Sequence, residues 1–112
     1  MWFTTTPLKV TTWVLPGNTV DFRNRQAIRL TLDSLRYWVS EMGVDGFRFD
    51  LAVTLGRHAG EWRRDHPLLV AMTTDPVLCS KLLIAEPWDV GPGGWRTGEF
   101  PIPFLDWNDR YR

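Results

Sequence analysis

The chain has 112 residues and a formal net charge of zero, with 44% hydrophobic and 23% charged residues. These values are typical of one globular domain, and the zero net charge gives no support to a nucleic-acid or anionic-membrane partner. No apolar run reaches the ~18 residues of a membrane span, and the N-terminus does not resemble a signal peptide. A single cysteine excludes a disulfide framework. We therefore expect a reducing, cytoplasmic setting, with Cys79 as a small buried hydrophobe.

The first sixteen residues carry little structural signal. Residues 1–12 contain five threonines and one charged side chain, without helical periodicity. Trp13–Leu15 is a short β-prone run, and Pro16-Gly17 is a turn signal. We expect residues 1–16 to be irregular or to contain a stray strand.

A helix is predicted after Asn24, which can act as its N-cap. Gly43 is placed to end the helix in the left-handed conformation. Apolar residues recur between these two at spacings of three and four, which places them on one helix face: Ile28, Leu32, Leu35, Val39 and Met42.

A strand is predicted for Val44–Asp50, directly after this helix. Asp45-Gly46 alone is a hairpin-turn signal, but a helix followed by a β-prone run is half of a parallel α/β unit. Gly46 inside the strand indicates close approach of another backbone. Leu51–Gly60 is predicted as loop with a helical turn.

Residues 51–80 are long enough to connect two parallel strands. Pro67 can occupy the first position of a helix within this crossover. Lys81–Ala85 is an apolar run typical of a strand that is buried on both faces. The glycines of 91–94 indicate a loop, and 104–107 is a weak strand candidate.

Each predicted strand ends in one carboxylate, Asp50 and Glu86. The carboxyl ends of parallel strands form the active face of α/β proteins, and neighbouring strands lie ~4.8 Å apart. Carboxyl groups about 5 Å apart are the nucleophile and the acid/base of retaining glycoside hydrolysis. Arg48 points to the same face as Asp50 and would orient it, although an ordinary ion pair is the alternative. Glu86 follows an apolar run, which suits a general acid, although a solvated strand end is the alternative.

Other polar and aromatic residues are weaker candidates. His58 and His66 lack partners at metal-ligand spacing, so surface or N-cap roles are expected, and no metal or cofactor is predicted. Seven tryptophans are present. Core packing is the ordinary role for them, but Trp88 and Trp95 lie in predicted loops and are candidate sugar-stacking residues.

The two carboxylate segments resemble signature regions of the α-amylase superfamily, glycoside hydrolase family thirteen. GVDGFRFDLAVTLG, residues 43–56, resembles the region on the fourth barrel strand, and LLIAEPWDVGPGG, residues 82–94, resembles that on the fifth. The segment WNDRYR, residues 107–112, is similar to a stretch that follows the fifth strand in debranching enzymes of the isoamylase type. Leu51–Leu55 replaces the Lys-His of many α-amylases, which also favours the debranching type.

The resemblance implies part of a (β/α)₈ TIM barrel over residues 17–112, covering about the fourth and fifth βα units. It implies hydrolysis of α-1,6 branches in glycogen, limit dextrin or amylopectin, with Asp50 as nucleophile, Glu86 as acid/base and Arg48 in support. Regions on other strands, including a third carboxylate, are absent, and residues 1–16 do not resemble the family. We therefore expect a truncated catalytic domain that is inactive in isolation, with a non-native start. Open barrel edges predict self-association.

Two alternatives follow from the same residues. The chain could belong to a related α-glucan hydrolase, such as an α-amylase or a trehalose-releasing enzyme. It could also be a non-catalytic remnant that binds glucan. The linkage of the product distinguishes the enzymes, and glucan binding without turnover would indicate the remnant.

Overall fold

The computed structural model describes the backbone of residues 2–4 and all of residues 20–108. The predictions for Trp13–Leu15 and for the turn at Pro16-Gly17 lie outside the described residues, as do the last four residues of the WNDRYR segment. Trp2–Thr4 forms a strand, which is the second of the two alternatives predicted for the first sixteen residues.

Within the described residues, a parallel sheet of four strands and two helices form the framework. The elements are β1 Trp2–Thr4, α1 Arg25–Ser40, β2 Gly46–Asp50, β3 Arg57–His58, β4 Glu61–Trp62, α2 Pro67–Thr74, β5 Leu82–Ala85 and β6 Leu105–Asp106. The sheet order is β1-β2-β5-β6, and every neighbouring pair within it is parallel. A separate two-stranded antiparallel hairpin contains β3 and β4.

Helix α1 begins and ends at the predicted signals. The Asn24 side chain accepts a hydrogen bond from the Gln26 backbone N–H at 2.8 Å, as an N-cap does. Gly43 has a φ of 69°, and its N–H donates to the Val39 carbonyl at 3.2 Å, which is the left-handed C-terminal motif. Met42, predicted for the apolar face, lies beyond the helix and is exposed.

Strands β2 and β5 pair in parallel over four residues, from Gly46 opposite Leu82 to Phe49 opposite Ala85. A Cβ atom on Gly46 would lie 2.5 Å from the Leu82 Cβ and 2.6 Å from the Leu82 carbonyl oxygen. The prediction that Gly46 marks a close backbone approach is therefore confirmed. This contact allows the two strands to pair closely at their amino ends.

The core lies on one face of the sheet. Phe47, Phe49, Leu83 and Ala85 point to this face, where they form one apolar cluster with side chains of both helices and of the segment between β2 and α2. Alternation along a strand sends the other residues to the opposite face. The burial of β5 alternates accordingly, and Leu82 is 54% exposed. The prediction that this strand is buried on both faces is therefore wrong.

In the crossover between β2 and β5, the predicted helical turn and the helix at Pro67 are confirmed, and a hairpin that the sequence does not predict lies between them. A buried 3₁₀ helix covers Ala52–Gly56, and the β3–β4 hairpin follows it. Helix α2 has Pro67 at its first position, and His66 caps it by accepting a hydrogen bond from the Leu68 N–H at 3.1 Å. Surface or N-cap roles are predicted for the two histidines. The N-cap role is confirmed for His66, whereas a surface position is wrong for it because its side chain is fully buried.

The turn after α2 contains a buried carboxylate. Asp75 accepts hydrogen bonds from Arg36 on α1 and from the backbone N–H groups of Val77 and Leu78. Burial by itself would raise the pKa of Asp75, but these hydrogen bonds outweigh it and lower the pKa. Cys79, in the same turn, is exposed. The expectation of a buried cysteine is wrong because Leu78 points into the core instead.

Candidate active site

Asp50 and Glu86 lie at the carboxyl ends of neighbouring strands. Asp50 is the last residue of β2, and Glu86 follows β5 directly. Continuing the register from Phe49 opposite Ala85 places Asp50 opposite Glu86. Paired positions of parallel strands point to the same face, so both carboxylates emerge on the face away from the helices.

One guanidinium joins the two carboxylates. The Nη1 atom of Arg48 donates to Oδ1 of Asp50, and its Nη2 atom donates to Oε2 of Glu86. The side chains of Arg48 and Glu86 are each 14% exposed, whereas that of Asp50 is 44% exposed. The sequence predicts Arg48 as a partner of Asp50 alone. The sequence also predicts apolar surroundings for Glu86, whereas in the structure this nearly buried carboxylate faces the positive charge of Arg48.

The backbone after Asp50 also contacts Glu86. Leu51 has a φ of 47°, in the left-handed region that is uncommon for leucine, and its N–H lies 3.4 Å from Oε1 of Glu86. The Ala52 N–H donates to the Glu86 carbonyl at 2.9 Å, and the Glu86 N–H donates to the Phe49 carbonyl at 3.0 Å. These bonds fix the backbone of Glu86 relative to the end of β2.

A groove of about 480 Å³ runs along the uncovered face below the carboxylates. Arg48 lines it together with Leu82, Ile84 and Trp107. The Arg48 guanidinium lies 4.7 Å from the centre of the Trp107 ring, within the range of a cation–π contact. The backbone N–H of Trp107 donates to the Ala85 carbonyl at 2.7 Å, so the backbone of this residue is held at the end of β5.

Trp88 and Trp95, the predicted sugar-stacking residues, lie together in the loop that follows Glu86. Their rings stack with centroids 5.5 Å apart and planes at 16°. Trp95 is 59% exposed, and Trp88 is partly buried. The structure places both residues a short distance along the chain from Glu86.

A buried ion pair, which the sequence does not reveal, anchors the same loop. Arg57 donates to both carboxylate oxygens of Asp89, at 3.0 and 2.9 Å, and their side chains are 10% and 0% exposed. The two residues are 32 positions apart, so no local pattern could have revealed the pair. The sequence shows only an Arg after an apolar run and an Asp after a Trp.

The two histidines lie beside each other, with ring centroids 5.5 Å apart. Among the described residues no group of three or more potential metal-ligating side chains is present.

None of the helices in the described part of the chain has the length and apolar character needed to cross a membrane.

The site provides an exposed carboxylate, a nearly buried carboxylate and a cation that holds both. A pair of carboxyl groups on neighbouring strand ends can supply a nucleophile and a proton donor to a glycosidic bond. Fold and site therefore define a parallel α/β chain with a paired-carboxylate centre at the carboxyl edge of its sheet.

Comparison with known proteins gives a more particular similarity. Over 100 residues the chain is 54% identical to a protein of Erwinia tasmaniensis and 46% identical to one of Cronobacter sakazakii, covering 89% of this chain in both cases. It is 52% identical over 96 residues to a protein of Serratia proteamaculans. All three are named glycogen debranching enzyme, and the chain spans about 15% of their length. No protein-family model matches the chain.

Proposed function

We propose that the chain is a segment of the catalytic barrel of a glycogen debranching enzyme, covering about the fourth and fifth βα units. Identity of 46–54% to proteins of that name supports the proposal, and their greater length fits a chain that supplies only part of a barrel. The sheet supports it too. Parallel sheets normally have both faces covered, and a barrel would enclose the face that carries Arg48.

The proposed reaction is hydrolysis of α-1,6 branches in glycogen or limit dextrin with retention of configuration. Asp50 attacks the anomeric carbon while Glu86 protonates the departing glycosidic oxygen. Glu86 then removes a proton from water, which displaces Asp50 and releases the sugar. The observation that carries this proposal is the single guanidinium of Arg48 bound to both carboxylates, because it holds the two groups as one unit.

Exposure supports this assignment of roles. Asp50 is the more exposed carboxylate, and a nucleophile must reach the anomeric carbon directly. Glu86 is nearly buried and fixed by backbone bonds on both sides, which suits a group that transfers a proton along one direction. Arg48 touches both carboxylates and therefore orients each of them toward the same bond.

A chimeric enzyme tests the proposal. The matching segment of the Erwinia tasmaniensis protein would be replaced by residues 20–108 of this chain, and release of reducing ends from limit dextrin would be measured. We expect debranching by the chimera, with the first product in the α-anomeric form by proton NMR. Glu86→Gln should lower the rate by about 10²–10⁴-fold, the usual contribution of a general acid/base. A linear maltooligosaccharide is the control substrate.

The outcomes separate the alternatives. Cleavage of the linear substrate at a comparable rate would indicate an α-amylase-type activity instead of debranching. A folded chimera without hydrolysis, or one whose activity survives both Asp50→Asn and Glu86→Gln, would contradict the proposal. The isolated 112-residue chain should release no reducing ends, because it lacks the other strands of the barrel.

A further inference from the structure

The loop after Glu86 is closed on itself by several backbone contacts. The Asp89 N–H donates to the Gly94 carbonyl at 3.0 Å, and the Arg96 N–H donates to the Pro87 carbonyl at 2.8 Å. Trp88 and Trp95 form an antiparallel bridge between these bonds. The loop 87–96 is therefore a built structure whose two ends lie side by side, with the stacked indoles at its base.

Asp89 occupies the inside of this loop. Its Oδ1 atom accepts a hydrogen bond from the Gly91 N–H at 2.7 Å, in addition to the bidentate contact with Arg57. A Cβ atom on Gly94 would lie 2.4 Å from the Asp89 carbonyl oxygen and 2.5 Å from Oδ1. The loop is therefore packed tightly around this carboxylate, and the glycine allows the approach.

Arg57 connects the two halves of the site. It lies at the start of β3, seven residues after Asp50, and reaches across to the loop that begins after Glu86. Its guanidinium also donates to the Pro92 carbonyl at 3.1 Å and to the Gly60 carbonyl at 3.3 Å. A guanidinium that binds a carboxylate through two parallel bonds fixes orientation as well as distance.

A buried ion pair of this kind is weak evidence for stability, because removing both charges from water offsets much of their attraction. The pair matters for geometry, because it fixes loop 87–96. Trp95 lies at the base of this loop, and its indole is 59% exposed. Trp88 supports that ring from one side through the parallel stack. A flat aromatic surface held in one orientation suits the apolar C–H face of a pyranose ring.

We propose that Arg57 is a positioning residue for glucan binding: through Asp89 it holds loop 87–96 so that Trp95, stacked on Trp88, forms a sugar platform on the loop that follows Glu86. The inference rests on the proposed function for its ligand class, an α-glucan. It assigns Arg57 no contact with the sugar. Substitution of Arg57 should therefore disturb the stacking of the two indoles and weaken glucan binding, although both indoles are still present.

The experiment uses the full chain and two readouts. Stacked indoles couple their electronic transitions, so the far-UV circular dichroism spectrum should contain an exciton couplet that disappears in Trp95→Phe. Binding of maltoheptaose is measured by titration calorimetry. We expect Arg57→Gln to abolish the couplet and to weaken binding at least tenfold, and Arg57→Lys to restore part of both. Arg63→Gln is the matched control, because Arg63 and its partner Asp65 are exposed; it should change neither readout.

Three results would overturn the inference. They are an unchanged couplet in Arg57→Gln, unchanged maltoheptaose affinity in Trp95→Ala, and a wild-type chain that shows the couplet but binds no maltoheptaose. If Arg57→Gln does not fold, the same two readouts are measured in Arg57→Lys and in Trp95→Ala, since Trp95 is exposed. Binding of maltoheptaose requires no bond cleavage, so it is measured independently of the activity of the chimera. Normal binding with an inactive chimera would therefore contradict the proposed function alone.

Discussion

His66 combines a structural role with an unusual protonation state. Its Nδ1 atom accepts the hydrogen bond that caps α2, so this nitrogen must remain unprotonated. The pKa of His66 is lowered to about 4 from an ordinary value of 6.5, and burial is the largest cause. The nearby charges of His58 and Arg63 contribute to this lowering, whereas those of Asp21 and Asp65 oppose it. The helix cap and the neutral imidazole therefore depend on each other.

The stability of the chain should consequently fall as the solution becomes acidic. The unfolded chain takes up a proton at His66 near pH 6.5, but the folded chain does so only near pH 4. The stabilisation is therefore complete above about pH 6.5 and is lost as the pH falls toward 4. The shift corresponds to about 3 kcal/mol in the free energy of unfolding. Urea unfolding at pH 7.5 and at pH 4.5 measures this loss.

His66→Asn is the matched control for this effect, because asparagine can cap a helix and does not titrate. The variant should lose less of its stability between the two pH values than the parent chain. An equal pH dependence in parent and variant would show that His66 is not the group responsible.

The sequence predicts single residues well where a role depends on near neighbours. The N-cap Asn24 and the left-handed Gly43 each follow from a pattern of a few residues, and both are confirmed. For His66 the sequence leaves a surface role and an N-cap role open, and the structure shows the N-cap. Contacts between residues that are distant in sequence are not predicted in this way. The bonds from Arg48 to Glu86 and from Arg57 to Asp89 join residues 38 and 32 positions apart, so only the folded sheet reveals them.

At the scale of elements, the pairing of β2 with β5 determines the geometry of the site. Gly46 is the residue of β2 that faces Leu82, and its lack of a side chain leaves room for the Leu82 backbone. Asp50 ends the same strand, four residues later. A displacement of β2 at its amino end would therefore be transmitted along a short strand to the carboxylate.

Gly46→Ala should destabilise the chain by about 1–3 kcal/mol, the usual cost of overpacking. The added Cβ would meet a backbone oxygen at 2.6 Å, and such an atom cannot turn aside as a flexible side chain can. Urea unfolding measures the change. Leu82→Ala serves as the control, because Leu82 is exposed and its truncation should cost little. A change below about 0.5 kcal/mol in Gly46→Ala would contradict the expected collision.

The β3–β4 hairpin shows why one element escaped prediction. Its turn requires positive φ at two successive residues, and Ala59 and Gly60 adopt 52° and 88°. Such turns are usually signalled by Asn-Gly or Asp-Gly, whereas alanine rarely adopts positive φ. Each strand is also only two residues long, which is too short for an alternating pattern to be recognised.

At the scale of the whole molecule, the helices cover one face of a parallel sheet and leave the other open within the described residues. The sequence predicts the parallel α/β class correctly, because a helix precedes each of two apolar strands. It does not predict the open face. An apolar run such as that of β5 has the same composition whether its outer side chains meet a barrel interior or water.

The open face should promote self-association of the isolated chain. Leu82, Leu105 and Trp107 are all at least 43% exposed, and exposed apolar patches of this kind favour protein contacts. We expect the sedimentation coefficient to rise with protein concentration, and Leu82→Lys to reduce that rise. Val70→Lys is the control, since Val70 is a similarly exposed apolar residue on α2. Equal effects of the two substitutions would show that association depends on exposed apolar residues in general, and not on the open face of the sheet.

The shared guanidinium of Arg48 has a consequence for electroneutrality during the proposed reaction. Before bond cleavage, an ionised Asp50 and a protonated Glu86 leave the trio with no net charge. Once Asp50 is esterified to the sugar and Glu86 has given up its proton, the sum is again zero. Arg48 therefore exchanges the anion that it neutralises without moving, since it already contacts both. The protein does not need to accommodate a change of charge at this site, because the same guanidinium neutralises each carboxylate in turn.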